Sequence, residues 1–183
     1  MKTQINQSTN TNKTALRAGS TPPARYFQTQ PKTKLEAAGA LMKLKGFFGR
    51  QQLAVISEMR FGEEKQWLFD RLCELAELIT SMPVTYETDG QGDAAIVQLH
   101  YFTSGCDWYI TERDCEREQL QAFGLADLGY GGELGYISIV ELLECGAELD
   151  LHWTLKTLAE VRRGREVEHA LNDFSSVSSV HHY

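Results

Sequence analysis

The sequence predicts an α+β protein in which N-terminal helices pack on a small antiparallel sheet that contains one inserted short helix. Two observations carry this prediction. Up to Met82 the apolar residues recur at the three- and four-residue steps of helices, whereas beyond Pro83 they alternate with polar residues, as in strands with one solvated face. A run of helices followed by strands joined through short turns is typical of the α+β class.

Residues 1–32 are predicted to form a disordered basic arm. The stretch is rich in Asn, Gln, Thr and Ser, contains the helix-breaking pair Pro22 and Pro23, and shows no periodic apolar pattern. A chain of this composition buries too little apolar surface to offset the entropy lost on ordering. We therefore expect its positive charge to be mobile.

Residues 33–82 are predicted to be a helical segment. Thr33 and Glu36 have the spacing of a capping box at the start of the first helix. Residues 50–60 fit either a helix or a strand, and we prefer a helix. The third helix, over 63–82, is the clearest, because its apolar residues fall within one narrow stripe. These residues are Leu68, Leu72, Leu75, Ile79 and Met82.

Residues 83–161 are predicted to be the α+β domain. Alternating apolar residues indicate strands over 94–102 and 107–114, and a turn containing Gly105 joins them into a hairpin. A third strand is predicted over 120–128. The period of two implies that each strand has one buried face.

The end of the chain adds a helix and a strand to this domain. Ser138 and Glu141 have capping-box spacing, which predicts a short helix before a last strand over 148–153. Residues 162–183 are predicted to be a C-terminal helix or a frayed tail, with the helical pattern interrupted at Gly164.

Charge is distributed unevenly along the 183 residues. Residues 1–60 carry ten basic and two acidic side chains, residues 61–160 carry five basic and twenty acidic ones, and the remainder is neutral, giving the total of −7. An asymmetry of this size is informative about partners and solubility rather than about fold. The sequence therefore predicts a basic front segment and an acidic domain.

Several classes of protein are excluded by what the sequence lacks. No stretch reaches the roughly 18 apolar residues of a membrane span, and no secretory signal opens the chain, so we expect a cytoplasmic protein with no membrane partner. The glycine-rich run over 129–135 lacks the spacing of a nucleotide-binding loop, and no cofactor is predicted. The cysteines lack paired short spacings and are expected to be reduced, mostly buried thiols. They are Cys73, Cys106, Cys115 and Cys145.

The acidic residues of the domain suggest a surface for a protein partner. Carboxylates on one helix face and in the strand turns would attract a basic partner surface and speed the encounter. Net charge of this kind also serves solubility, and that alternative stays open. The candidate binding residues are Glu63, Glu64, Asp70, Glu74, Glu77, Glu112, Asp114, Glu116, Glu118 and Glu133.

A second hypothesis is a metal-assisted hydrolase or nucleic-acid enzyme. Glu148, Asp150 and His152 occupy alternate positions of the last predicted strand, so their side chains would project from one face. Such a set could bind a divalent cation or hold a general base, and His100 would join it if the two strands were neighbours. We prefer the alternative that these residues are the solvated face of an edge strand.

A third hypothesis is nucleic-acid binding through the basic residues of 1–60. Ten charges with few interleaved aromatic residues make a weak electrostatic footprint for such binding.

Three motifs in order along the chain resemble a known family. They are DWYITE (107–112), FGLADLGYGGELGYISIVEL (123–142) and ELDLHW (148–153). Together they are similar to the uncharacterised family called domain of unknown function 2958, over about residues 83–161. No activity is established for that family as a class. Its members occur largely in bacteria and on plasmids, phages and other mobile elements, near antirestriction or DNA-processing genes.

These observations lead to an expected function. We expect a non-enzymatic bacterial or mobile-element accessory protein that binds a protein partner through its acidic surface. The context implied by the resemblance suggests counter-defence, in which the partner would be a host defence nuclease or a CRISPR complex. An acidic surface would then imitate the sign of the phosphates such a complex binds.

Overall fold

The computed structural model describes residues 30–116 and 118–178, except for the side chains of His169 and residues 172–178. The predicted disordered arm over residues 1–32 lies almost entirely outside this range. The elements below belong to one compact unit that begins at Pro31. None of the described helices has the length and apolar character needed to cross a membrane.

Three helices precede the sheet, as predicted. They are α1 (Lys34–Leu44), α2 (Arg50–Met59) and α3 (Lys65–Ser81). The predicted capping box at the start of α1 is confirmed, since Thr33 Oγ1 accepts the N–H of Glu36 while the Glu36 carboxylate accepts the N–H of Thr33. This reciprocal pair satisfies two of the backbone donors that a helix start leaves open.

The main sheet has five antiparallel strands, which are β2 (Leu99–Thr103), β3 (Cys106–Glu112), β4 (Ala122–Asp127), β5 (Glu133–Ile137) and β6 (Glu148–Leu149). Their order in the sheet is β5-β4-β3-β2-β6. The predicted hairpin joins β2 to β3, with Thr103 paired to Cys106 and Gly105 at a φ of 89° in the turn. A left-handed residue of this kind suits glycine.

Two further strands and two helices complete the fold. A two-stranded ribbon pairs β1 (Ile96–Val97) with β7 (Lys156–Thr157). The short helix α4 (Ile139–Glu144) lies between β5 and β6, as the sequence predicts, and Ser138 Oγ accepts the N–H of Glu141 at its start. The last helix, α5 (Leu158–Ser178), follows β7 directly.

The sheet separates two apolar cores. Its first face packs with the helices that precede it and with α4, where Leu68, Leu75 and Tyr101 are almost completely buried. The Tyr101 hydroxyl donates to the carbonyl of Phe47 at 2.9 Å, so this deep polar atom is satisfied. The second face carries a smaller core that α5 covers. Its buried members are Ala95, Val97, Tyr109, Leu125, Leu158 and Val161.

Three sequence expectations need correction. The last predicted strand ends at Leu149, because the Asp150 side chain accepts the N–H of His152 and turns the backbone. The helical pattern is not interrupted at Gly164, since α5 runs through it. β5 was not predicted, because Gly135 within it and the glycines before it obscured the alternation.

The cysteines also differ from expectation. All four are free, but only Cys73 is buried, whereas Cys106 is half-buried and both Cys115 and Cys145 are exposed. The prediction of mostly buried thiols is therefore wrong. Cys115 lies in the turn after β3 and Cys145 directly follows α4, and these positions leave both side chains at the surface.

Candidate functional site

An aromatic cavity of about 570 Å³ opens on the second face of the sheet, beside the start of α5. Its volume lies within the range of small-ligand sites. The rings of Tyr86, Phe123 and Tyr136 line it. The other lining residues come from the 88–95 turn, from the end of β3, from β5 and from α5, and are Thr88, Asp89, Gly90, Gly92, Ala95, Thr111, Glu112, Leu134 and Leu158.

Glu112 anchors one side of the aromatic cavity. It is 2% exposed, and its carboxylate accepts the N–H of Tyr86 at 2.7 Å and the N–H of Thr88 at 2.6 Å. The Thr88 hydroxyl donates to it as well. A buried carboxylate needs such donors to offset its lost hydration. Glu112 therefore ties the 86–88 turn to the end of β3.

Tyr86 has a strained backbone. Its φ is 78°, in the left-handed region that bulky L residues rarely adopt. The side chain is nevertheless 68% exposed, so the free energy gained by burying the ring does not offset the backbone strain. Strain of this kind persists when the surroundings fix it, and it is concentrated at functional sites. Here the Glu112 carboxylate is the group that fixes it.

The three rings are arranged at steep angles. Tyr86 and Tyr136 have centroids 6.3 Å apart and an interplanar angle of 78°, and Phe123 stands at 72° to Tyr136 with centroids 5.6 Å apart. The Tyr136 hydroxyl donates to that of Tyr86 at 3.0 Å. This hydrogen bond raises the pKa of Tyr136. The rings therefore form an angular wall with both hydroxyls joined at one edge.

An acidic rim lies on the segment that forms one side of this cavity, and Asp89 is its lining member. We use the term for the exposed carboxylates of Glu87, Asp89 and Asp93, which follow one another in the turn and short 3-10 helix before β1. Asp93 is engaged by Arg162 of α5 at 3.2 Å. Together with the buried Glu112, the rim gives this end of the molecule a negative character that favours cationic ligands.

A second cluster, the histidine network, lies further along the same face of the sheet. His100 Nε2 is 2.8 Å from Asp107 Oδ1, and Nδ1 is 3.1 Å from Asp150 Oδ2. Arg165 of α5 contacts Asp107 and Asp127, each at 2.9 Å. These charge-assisted contacts connect β2, β3, β4 and α5.

Aromatic rings enclose the histidine network. The His100 ring stacks on Tyr109 with centroids 4.8 Å apart and lies 4.9 Å from Trp153. Trp153 Nε1 donates to the carbonyl of Val97 at 3.1 Å. Burial, with Asp107 nearby, raises the pKa of Tyr109 to about 12. We interpret this packed network as a set of contacts that hold α5 against the sheet.

The residues of the metal hypothesis are brought together only in part. His100 and Asp150 are in contact, as their strands are neighbours. Glu148, Asp150 and His152 line a shallow cavity of about 220 Å³, but the His152 ring is stacked on Trp67 at 4.6 Å. Within the described residues, no group of three or more His, Cys, Asp or Glu side chains is placed to hold a metal ion.

The predicted acidic surface is divided by burial. Glu112 and Asp114 are 2% and 3% exposed, so they do not belong to a solvated surface, and this part of the prediction needs correction. Asp70 is half-buried and accepts the N–H of Lys32 at 2.7 Å. The remaining candidates are exposed, and they are Glu63, Glu64, Glu74, Glu77, Glu116, Glu118 and Glu133.

On the outer face of α3 these carboxylates have basic neighbours. Glu74 lies 3.3 Å from Arg71, and Glu77 lies 3.8 Å from Lys32. Exposed pairs of this kind contribute little to stability, but they reduce the net charge of the face. The outer face of α3 is therefore a weaker candidate for partner binding than its carboxylates alone suggest.

Sequence reasoning missed most of the aromatic cavity. Tyr86 and Asp89 lie in a turn whose positive φ leaves no periodic signal, and this turn is far in sequence from Phe123 and Tyr136. Glu112, Phe123 and Tyr136 do fall within two of the three motifs that carry the family resemblance. The pairing of β3 with β4 and of β4 with β5 brings them to one place.

Comparison with known proteins gives one match. A family model described as "Protein of unknown function (DUF2958)" matches residues 71–162, which is half of the chain. The matched segment begins within α3 and ends in the first turns of α5, so it includes the lining of the aromatic cavity. No curated protein and no solved structure matches the chain.

Proposed function

Because the chain belongs to the DUF2958 family, whose description gives no activity, we propose its function from its geometry: a non-enzymatic protein that binds a protein partner with a basic surface. The acidic rim beside the aromatic cavity carries this proposal. Asp89 lines the cavity together with the three aromatic rings, and the carboxylates of Glu87 and Asp93 are exposed on the same segment of the chain. Aromatic anchors surrounded by a charged border are typical of protein-binding surfaces.

The charges support binding by electrostatic attraction. Residues 61–160 carry a net charge of −15, and the rim carboxylates are exposed on one short segment. Complementary charge mainly raises the association rate and makes it sensitive to salt. A basic partner would therefore meet this end of the molecule faster than an uncharged one.

Within this function we propose counter-defence as the finer role. The partner would be a nucleic-acid-binding restriction or CRISPR component of a bacterial host, and the acidic rim would occupy a surface that otherwise binds phosphates. A site that binds phosphates is basic, and its affinity falls strongly as the salt concentration rises.

The test uses neutralised rim residues in the full chain. The double variant Glu87→Gln and Asp89→Asn removes two rim charges while keeping polar groups of similar size. Proteins captured from a bacterial lysate by the immobilised wild type would be identified, purified and measured for affinity against the variant. We expect binding about three- to tenfold weaker in the variant, mainly through slower association, and weaker in both chains as salt rises.

A matched control separates rim charge from net charge. Glu58→Gln and Glu144→Gln remove two exposed charges near the ends of α2 and α4. This control should bind as the wild type does. Equal losses in both double variants, or binding that salt does not weaken, would contradict the proposal. Counter-defence additionally requires that the chain inhibit DNA binding by the captured protein.

A further inference from the structure

The aromatic cavity has a feature that protein folding alone does not require. Tyr86 is held at a φ of 78° although its ring is 68% exposed. Leu134 and Tyr136 on the neighbouring strand are also largely exposed, at 44% and 59%. The structure thus keeps these rings open to solvent although this strains the Tyr86 backbone and leaves apolar surface exposed. Both features are typical of a preformed binding site.

The rings have the arrangement that favours a cation. The face of an aromatic ring is negative and attracts an ammonium or guanidinium group within about 6 Å of its centroid. Adjacent rings here stand at 72° and 78° to each other, so their faces point in different directions around the cavity. A cation between them would approach more than one ring.

The carboxylates around the cavity carry negative charge, which attracts a cationic ligand. The three groups that donate to Glu112, two backbone N–H groups and the Thr88 hydroxyl, are all neutral. The Glu112 charge is therefore not balanced by its hydrogen-bond donors. Asp89 lines the cavity as well and is exposed, whereas the guanidinium of Arg162 is engaged by Asp93.

We propose that the aromatic cavity binds the ammonium group of a lysine side chain presented by the partner. The inference rests on the proposed function, because the basic partner supplies the lysine. The aliphatic part of the side chain would pack on Leu134 and Leu158, and the ammonium would lie among the rings with Asp89 and Glu112 nearby. A lysine suits this site because a flexible four-carbon stem reaches into a cavity and ends in a compact charge.

The test does not need the natural partner. The full chain is titrated with two capped tripeptides, Gly-Lys-Gly and Gly-norleucine-Gly; norleucine keeps the four side-chain carbons of lysine and lacks only the terminal ammonium group. Binding is followed through the backbone amide NMR signals of Tyr86, Thr88 and Gly90. We expect the lysine peptide to bind at least tenfold more tightly than the norleucine peptide, with shifts confined to the cavity.

Variants locate the effect on the rings. Tyr136→Leu removes one ring, and we expect at least a tenfold loss of affinity for the lysine peptide. Tyr86→Asn is a second variant that keeps the fold, since Asn tolerates positive φ, and it should show the same loss. Tyr130→Leu is the control, because this 98% exposed ring does not line the cavity and its removal should change nothing.

Each remaining outcome overturns the inference. Equal binding of the two peptides would mean an apolar site with no preference for charge. Binding of free n-butylammonium without the lysine peptide would assign the cavity to a small amine. Binding that survives both Tyr136→Leu and Tyr86→Asn would place the contact elsewhere. A salt-sensitive partner that binds while the lysine peptide does not would preserve the proposed function and remove only this inference.

Discussion

At the scale of single residues, the end of β3 shows how neighbouring carboxylates differ in role. Glu112 supports the aromatic cavity, whereas Asp114 organises the turn that follows, its Oδ1 accepting the N–H of Glu116 and its Oδ2 that of Leu120, both at 2.9 Å. Burial favours a higher pKa for Asp114, but the backbone N–H groups outweigh it and hold the pKa below its ordinary value. Both residues are acidic, and the sequence alone does not show that the fold buries their side chains.

Asp114→Asn should destabilise the protein at neutral pH. An asparagine has one carbonyl oxygen, so one of the two backbone donors loses its partner, which costs about 1 to 3 kcal/mol. Because the pKa of Asp114 is lowered in the folded state, its stabilising effect is complete above the ordinary Asp pKa of about 4 and is lost as pH falls below it. Urea unfolding of both chains from neutral to acidic pH checks this.

The difference in unfolding free energy between wild type and Asp114→Asn should shrink on acidification. Glu116→Gln is a suitable control, since Glu116 is exposed and only its backbone N–H takes part in the turn. A constant difference at all pH values would show that the carboxylate charge does not matter.

At the scale of elements, the predictable parts of the fold are those with one unbroken pattern. α3 was predicted almost to its ends because its apolar residues form one stripe and Pro83 follows. β5 was missed because Gly132 and Gly135 interrupt an alternation that only pairing with β4 makes visible. The predicted last strand is too long because Asp150 fits the alternation of a strand in the sequence, whereas in the structure it lies in a turn.

The candidate site was harder to predict than the elements. An approach of His100 to His152 was anticipated as a possibility if their strands were neighbours, and although β2 does lie beside β6, His100 contacts Asp150 instead. The aromatic cavity was not, because it depends on a bulge in β3 between Ile110 and Glu112 and on a positive φ at Tyr86. Neither feature changes the periodicity of the sequence, so both become visible only when the strands are paired in the sheet.

Two glycines within elements should respond oppositely to alanine. A Cβ at Gly124 in β4 would stand 2.1 Å from the Tyr109 carbonyl oxygen, whereas at Gly164 in α5 it would meet nothing within 4 Å. Gly124→Ala should therefore cost roughly 3 kcal/mol or more by forcing β3 and β4 apart. Gly164→Ala should stabilise by about 0.5 to 1 kcal/mol through helix propensity.

Thermal and denaturant unfolding of these two variants give the comparison directly. Each serves as the control for the other, because the chemical change is the same and only the surroundings differ. Similar effects in both would contradict the close approach of β3 to Gly124.

At the scale of the whole molecule, α5 is attached to the sheet at two places. Leu158 and Val161 enter the second core, and Arg165 enters the histidine network one turn further on. Asp107 and Asp127, the two partners of Arg165 in the sheet, are directly opposite each other in neighbouring strands. Like charges in that position repel, so Arg165 stabilises the sheet as well as the helix.

Arg165→Met should weaken this attachment. It leaves the Asp107 and Asp127 charges facing each other, and we expect a loss of about 2 to 3 kcal/mol, less than for a fully buried pair because Arg165 is partly exposed. Arg163→Met is the control, since Arg163 is exposed and donates within its own helix. Amide hydrogen exchange should increase along α5 in Arg165→Met and stay unchanged in Arg163→Met.

Leu158 belongs both to the wall of the aromatic cavity and to the first turn of α5. The segment that defines the family ends at residue 162, before Arg165. A fragment cut at that boundary would keep every lining residue of the cavity but lose the cation that separates two facing aspartates. The smallest unit that carries the site is therefore longer than the segment by which the family is recognised.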